Sequence, residues 1–259
     1  MIRERIHSPR TPALAVLSAL VLGLMAACGG GTSQAPAPTA APVASPVNPA
    51  TAGAVTGKIV AEGTAPAPAP LKTSSDPSCK NPGLTSEVLL VGDAGALQNV
   101  FVYVKDGLGN LVFPVPTNAI VLDQQGCQYV PHVFGVQVGQ PVEIVNSDAT
   151  LHNVHAVAHV NREFNTGQPI QGMKTTHTFT AKEVMVPFKC DVHGWMNAWV
   201  GVLDHPFFSV TGKDGAFSLT GLPPGTYTIE AWHEKLGAKT QTVTIGDKET
   251  KDIAFAFPL

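Results

Sequence analysis

Four residues with metal-binding side chains are spaced as one site would need them. Cys190, His193 and Met196 lie close enough together for one tight loop to deliver all three, and His152 lies about forty residues upstream in a strand-like run. One thiolate, two imidazoles and one thioether form the ligand set of a blue-copper electron-transfer site, with a trigonal His₂Cys plane and a weak axial Met. The pattern therefore predicts one type 1 copper ion.

The cysteine inventory leaves more than one assignment open. The chain has four cysteines: Cys28, Cys79, Cys127 and Cys190. In an oxidising compartment a bare thiol is exposed to oxidation or disulfide pairing. We expect copper to protect Cys190, and Cys79 and Cys127 could pair with each other. The alternative is that Cys190 pairs with another cysteine and the motif is accidental, since sequence does not fix connectivity.

The N-terminal segment has the pattern of a signal peptide, predicted at residues 1–27. Three arginines within the first ten residues precede an apolar run from Ala13 to Ala27. Such a run is short for a membrane span. The small residues before Cys28 resemble the bacterial lipobox, so we expect lipidation of Cys28. Because Met25 is a less usual lipobox residue, ordinary secretory cleavage is the alternative. Either route predicts a bacterial cell-envelope location facing the periplasm.

Composition restricts the possible classes of protein. The chain has 259 residues, enough for one large or two small domains. A net charge of −3 and a pI of about 6.3 provide no basic surface, so we expect no nucleic-acid partner. Only 14% of the residues are charged, and Gly and Pro are frequent, which is typical of short strands joined by turns.

The distribution of residues along the chain predicts a tether followed by β-structure. Residues 28–53 are mostly Gly, Pro, Ala, Ser and Thr, a composition that favours a disordered tether. From Ala54 onward, short runs of branched residues predict strands. These include Val88–Val91, and a turn of helix is possible at Thr166–Met173.

The predicted metal ligands belong to a wider pattern that resembles the cupredoxins, especially the amicyanin, pseudoazurin and plastocyanin-like blue copper domains. The pattern comprises Asn146-Ser147-Asp148, His152-Asn153-Val154-His155 and Cys190-x-x-His193-x-x-Met196. The resemblance implies a Greek-key β-barrel over residues 117–204, with copper near one end. One departure is Gly194, where a proline commonly follows the loop histidine in those relatives.

The same resemblance implies roles for neighbouring residues. Asn153 would fix the ligand loop through hydrogen bonds, as outer partners of metal ligands generally do. The ring edge of His193 would reach the surface, where Val192 and Trp195 would help to form an apolar docking patch. A redox protein, such as a cytochrome or an envelope dehydrogenase, would dock near His193 and Trp195.

The segments on either side resemble a carboxypeptidase-regulatory-like β-sandwich. The similar segments are 55–60, 215–219 and 223–227. The resemblance implies a small Ig-like or transthyretin-like sandwich made of residues 54–116 and 205–259, with the barrel inserted between them. The predicted fold class is therefore all-β.

Some individual residues have alternative interpretations. His155 and His159 could form a second metal site with His152, but strand alternation favours surface positions on the opposite face. Asp148 and Glu143 could be paired carboxylates for acid–base chemistry, but we interpret them as solvated loop charges.

Three function classes remain. The first is a one-electron carrier in the envelope, anchored to the membrane by the lipid on Cys28. The second is a periplasmic copper carrier or chaperone, and the third is a non-redox binding or adhesion module. An enzyme is the weakest class, because the chain contains neither His-x-His nor His-Cys-His.

Overall fold

The computed structural model describes residues 45–81 and 83–259, so the predicted signal peptide, Cys28 and most of the tether lie outside the described residues. Two short 3-10 helices span Pro77–Cys79 and Asp93–Gly95. The strands are β1 Gly53–Glu62, β2 Phe101–Asp106, β3 Ile120–Gln125, β4 Gln128–Val130, β5 Val133–Gln137, β6 Pro141–Asn146, β7 His152–Ala156, β8 Phe164–Gln168, β9 Lys174–Thr178, β10 Glu183–Lys189, β11 Asn197–Leu203, β12 Phe208–Val210, β13 Ala216–Leu222, β14 Gly225–His233, β15 Gly237–Ile245 and β16 Thr250–Pro258. The prediction of an all-β fold is confirmed.

Two sheets contain only strands from residues 120–203. One has the order β5-β11-β10-β7-β8 and the other β4-β3-β6-β9. In β6 the burial alternates residue by residue, which places Val142 and Ile144 in the core and Glu143 at the surface side. The core between these sheets also contains Leu122, Phe188 and the two predicted ligands Cys190 and Met196. The loop that carries these two predicted ligands is therefore anchored directly in the packed interior.

The other two sheets are built from segments on both sides of that range. Their orders are β13-β1-β16 and β12-β2-β14-β15. Strand β1 pairs antiparallel with β13 and parallel with β16, so the first strand lies between two strands from the end of the chain. Val55 and Ile59 of β1 are fully buried in this second core.

Phe101 packs the two pairs of sheets against each other. This residue of β2 is fully buried and lies against the backbones of Gly135 in β5 and Gly201 in β11. A Cβ atom at Gly201 would lie 2.3 Å from the Phe101 ring, so no larger residue fits there without displacement. Trp199 and Trp232 extend the contact, with ring centroids 5.1 Å apart.

A polar contact lies beside these tryptophans. His132 Nε2 binds the Glu234 carboxylate, which also accepts a hydrogen bond from Trp199 Nε1 at 3.0 Å. Burial alone would lower the pKa of His132, but the hydrogen bond and charge of Glu234 outweigh it, so the pKa is raised. Burial would raise the pKa of Glu234, but His132 holds it below its usual range. The pair is therefore charged and most stabilising between the two ordinary pKa values, around pH 4.5 to 6.5.

Three local predictions were wrong. Val88–Val91 is not a strand, because the chain turns back after it and makes only the isolated bridge Val91–Leu97. Thr166–Met173 contains no helix, since pairing with β7 extends residues up to Gln168 into β8. The stretch Ser45–Ala52 is not a free tether, because Val47 packs against the second core.

None of the helices in the described part of the chain has the length and apolar character needed to cross a membrane.

Candidate metal centre

The ends of three strands position the predicted ligands. His152 is the first residue of β7, Cys190 directly follows β10, and Met196 directly precedes β11. The loop between them is closed by two backbone hydrogen bonds: Cys190 N–H donates to the Met196 carbonyl at 3.1 Å, and Met196 N–H donates to the His193 carbonyl at 2.9 Å. The loop geometry is therefore fixed by backbone contacts.

The structure brings a ring nitrogen of His193 close to both His152 and Cys190 inside the protein. His152 Nδ1 lies 2.9 Å from His193 Nδ1, and Cys190 Sγ lies 3.9 Å from His193 Nδ1. Metal ions in such sites lie about 2.0 Å from imidazole nitrogen and about 2.3 Å from thiolate sulfur, so atoms that share one ion are roughly 3 to 4 Å apart. The spacing of His193 Nδ1 from His152 Nδ1 and from Cys190 Sγ therefore fits a shared ion for each of these two pairs, whereas the three atoms do not all lie within 4.8 Å of one another.

The environment of both rings leaves the facing nitrogens available as ligands. His152 Nε2 lies 2.9 Å from Asp148 Oδ2, and His193 Nε2 lies 3.0 Å from Asp76 Oδ2. Each Nε2–H donates to its carboxylate, so each neutral ring carries its lone pair on Nδ1. Two such lone pairs 2.9 Å apart repel unless a proton or a metal ion lies between them. This buried donor set therefore fits a metal ion.

Met196 completes the candidate set from the core. Its side chain is 1% exposed and belongs to the same apolar cluster as Cys190. Among the described cysteines, Cys190 is the one outside a disulfide, and it is 2% exposed. A thioether and a thiol in the same buried cluster are soft ligands of the kind that copper sites use.

The interpretation of Asp148 as a solvated loop charge was wrong. Besides its contact with His152, its carboxylate accepts hydrogen bonds at 2.8 Å from the backbone N–H groups of Gly126 and Cys127. The Asn146 side chain accepts from Asp148 N–H at 3.0 Å, which fixes the turn before β7. Glu143, in contrast, forms an exposed ion pair with Lys174.

Asn153 connects the strand of His152 to the loop of Cys190. Its Oδ1 accepts a hydrogen bond from Asp191 N–H at 2.8 Å and lies 3.3 Å from Cys190 Sγ. Its Nδ2 donates to Asn165 Oδ1 at 2.7 Å. The structure thus places Asn153 where it can hold the cysteine loop.

The expectation that the ring edge of His193 reaches the surface was wrong. His193 is 2% exposed, because Asp76 and Cys79 lie over its Nε2 side and the Trp195 ring lies 5.0 Å from its ring. A disulfide joins Cys79 to Cys127. We call the segment Asp76–Cys79 the cover.

The carboxylate of the cover is held in its ionised form. Hydrogen bonds from the Thr150 hydroxyl and from Ser78 N–H lower the pKa of Asp76 to about 2. Thr150 lies two residues before His152, so the same carboxylate contacts both histidine-bearing segments.

Other groupings of possible ligands do not make a second centre. Cys79 with His152 and His193, and Cys127 with Asp148 and His152, are close enough for one ion. Both include a disulfide sulfur, which is not a thiolate ligand. His155 faces away from these groups: its two ring nitrogens bind Asp191 and Glu163.

Asp76 is the residue that sequence reasoning missed. It lies 117 positions from His193 in the chain and outside the segment that resembles cupredoxins. Its neighbour Cys79 was the one available signal, since a disulfide to Cys127 brings the segment to the barrel.

Comparisons with known proteins give partial matches. No protein-family model and no curated protein matches the chain. A Cu(I) methionine-to-alanine mutant of amicyanin is 31% identical, covers 34% of this chain and 85% of its own, and has a TM-score of 0.30. An oxidised proline-to-glycine mutant of amicyanin is 24% identical, and the match covers 45% of this chain and 93% of the mutant, with a TM-score of 0.30.

A copper-containing nitrite reductase from Thermus scotoductus SA-01 is 20% identical, with a TM-score of 0.32. The match covers 39% of this chain but only 26% of the reductase. TM-scores this low carry no argument about this chain. The all-β class follows from the strands of the chain itself, and its structural neighbours are cupredoxin-like.

Proposed function

We propose that this chain is a type 1 copper protein that transfers single electrons in the bacterial cell envelope. The observation that carries the proposal is a pair of histidine Nδ1 atoms that face each other, one of which, on His193, lies 3.9 Å from the unpaired, buried Cys190 thiol. When bound, copper would supply a centre that alternates between Cu(II) and Cu(I). The ligands would be His152, Cys190, His193 and Met196.

The contribution of the protein is to hold these ligands before metal arrives. Backbone hydrogen bonds close the loop of Cys190, and carboxylates orient both imidazoles. Burial excludes water from the thiol and the two rings. Ligands held in this way reduce the rearrangement that accompanies a change in copper charge.

The colour of the copper-loaded protein tests the proposal. We expect an intense visible band from thiolate-to-Cu(II) charge transfer, one copper per chain and the EPR spectrum of a type 1 site. Met196→Leu should retain the band and change the reduction potential, because the axial ligand tunes the potential. Purified protein matured outside the cytoplasm is the sample. A colourless, copper-saturated protein would contradict the proposal.

Electron transfer also requires a docking surface for a redox protein, such as a cytochrome or an envelope dehydrogenase. We place this surface over the loop of Cys190, where Val192 is 49% exposed and Trp195 covers His193. Because the ring of His193 is buried, the partner would contact these neighbours and the cover. The same burial favours a carrier over a chaperone, since a chaperone needs open access to its metal.

Self-exchange between copies of the protein tests this surface without a known partner. We expect rapid electron exchange with retained copper, measured by NMR line broadening in mixtures of Cu(I) and Cu(II) protein. Val192→Asp should slow the exchange at least about tenfold, because like charges would face each other at the encounter. Val160→Asp is the control, because Val160 is also exposed and lies beyond the end of β7. Transfer of copper to an acceptor before electrons exchange would favour a chaperone.

Membrane attachment through a lipid on Cys28 is part of the same proposal, and electron transfer rather than an enzymatic reaction is its chemistry. The support is the N-terminal pattern, together with a disulfide, which persists in oxidising compartments such as the periplasm. Mass spectrometry of the mature N-terminus decides: a diacylated Cys28 supports attachment, and an unmodified N-terminus contradicts it.

A further inference from the structure

The cover contacts the candidate copper site from outside the ligand motif. The carboxylate of Asp76 and the sulfur of Cys79 both face Nε2 of His193, at 3.0 and 3.7 Å. The ring therefore has Cys190 and His152 on its Nδ1 side and the cover on its Nε2 side. Every polar atom of this ring is engaged.

One hydrogen bond within the cover and two links to other segments hold the cover in place. The Asp76 side chain accepts hydrogen bonds from Ser78 N–H and from the Thr150 hydroxyl, both at 2.8 Å. The disulfide from Cys79 to Cys127 ties the segment to the turn that follows β3. Because Asp148 binds the backbone of Cys127 and also His152, the disulfide links the supports of both histidines.

We propose that Asp76 is a positioning residue for His193 and that the disulfide-anchored cover closes the outer side of the copper site. The inference depends on the proposed function for the identity of the metal. A carboxylate on Nε2–H fixes both the tautomer and the rotation of an imidazole ligand, and loss of such a partner typically weakens metal binding by about 10- to 100-fold. The steric cover prevents the ring from swinging outward and keeps competing ligands away from it.

Asp76→Asn separates the positioning role from the structural one. Asparagine has the same shape and leaves the disulfide intact, but its amide is a weaker partner for Nε2–H than a carboxylate. We expect release of Cu(I) to a specific chelator at least about tenfold faster than from the native protein, with a shifted EPR spectrum. Asp247→Asn is the matched control, since it makes the same change at an exposed carboxylate. Equal release rates for all three proteins would overturn the positioning role.

Chemical modification of the metal-free protein tests the cover without copper. Diethyl pyrocarbonate should leave His193 unmodified in the native protein and in Asp76→Asn, and should modify it in the double variant Cys79→Ser/Cys127→Ser. Peptide mass spectrometry identifies the site. Modification of His193 in the native protein would overturn the cover. If the double variant does not fold, the native protein and Asp76→Asn still test whether His193 is protected from the reagent.

The two proposals fail in different ways. A native protein without the charge-transfer band refutes the copper function, whereas protection of His193 in the metal-free protein remains measurable. A blue native protein whose Asp76→Asn variant has an unchanged spectrum and release rate refutes the inference and leaves the copper function intact.

Discussion

Cys190→Ser is expected to abolish the visible charge-transfer band of the copper-loaded protein. The band arises from the thiolate, and serine supplies an oxygen that is neither soft nor ionised at neutral pH. Copper affinity should fall by more than about 100-fold, beyond the loss caused by removing an outer hydrogen-bond partner. Visible absorption and a competition titration against a chelator measure the two effects.

A control must show that the Cys190→Ser variant still folds. Serine is close to cysteine in size, and the disulfide between Cys79 and Cys127 is untouched, so circular dichroism of the metal-free variant should match that of the native protein. Retention of the full band in Cys190→Ser would show that another sulfur binds the metal and would refute the assignment of ligands.

Phe101→Ala is expected to cause the largest loss of stability. The side chain is fully buried against two glycines of the sheet that contains β5 and β11, so its removal leaves a cavity that neither glycine can fill. Substitutions of this kind cost about 3 to 5 kcal/mol. For a domain of this size the loss corresponds to roughly 6 to 20 °C in Tm, measured by calorimetry of the metal-free protein.

An exposed valine provides the comparison for Phe101→Ala. Val121 is 47% exposed in β3, so Val121→Ala should change stability by no more than about 0.5 kcal/mol. If Phe101→Ala unfolded at the same temperature as Val121→Ala, the two pairs of sheets would not depend on this contact.

The predicted site depends mostly on local sequence, which is why its ligands could be proposed without a structure. Cys190, His193 and Met196 lie within one loop, and the strand carrying His152 is marked by alternating apolar residues. The all-β class follows from the same short alternating runs. In contrast, β8 was missed because Phe164–Gln168 lacks such a run and is extended by its pairing with β7.

The burial of His193 could not be predicted, because it depends on contacts between distant segments. Asp76 precedes the barrel by dozens of residues and lies in a Ser- and Pro-containing stretch with no periodic pattern. Asp148 could not be interpreted for a different reason. The sequence shows that it lies four residues before His152, but it does not show its hydrogen-bond partners. Its hydrogen bonds to the backbone of Cys127 depend on how β3 and β4 turn.

The position of the His193 ring has a consequence for how the protein matures. Cys190 Sγ faces one ring nitrogen at 3.9 Å, and Cys79 Sγ faces the other at 3.7 Å, so the imidazole separates the thiol from the disulfide. Attack of a thiolate on a disulfide requires contact between the sulfur atoms. In the folded chain the ring therefore hinders direct attack of the Cys190 thiolate on the Cys79 sulfur, so a free thiol and a disulfide can persist close to the same imidazole.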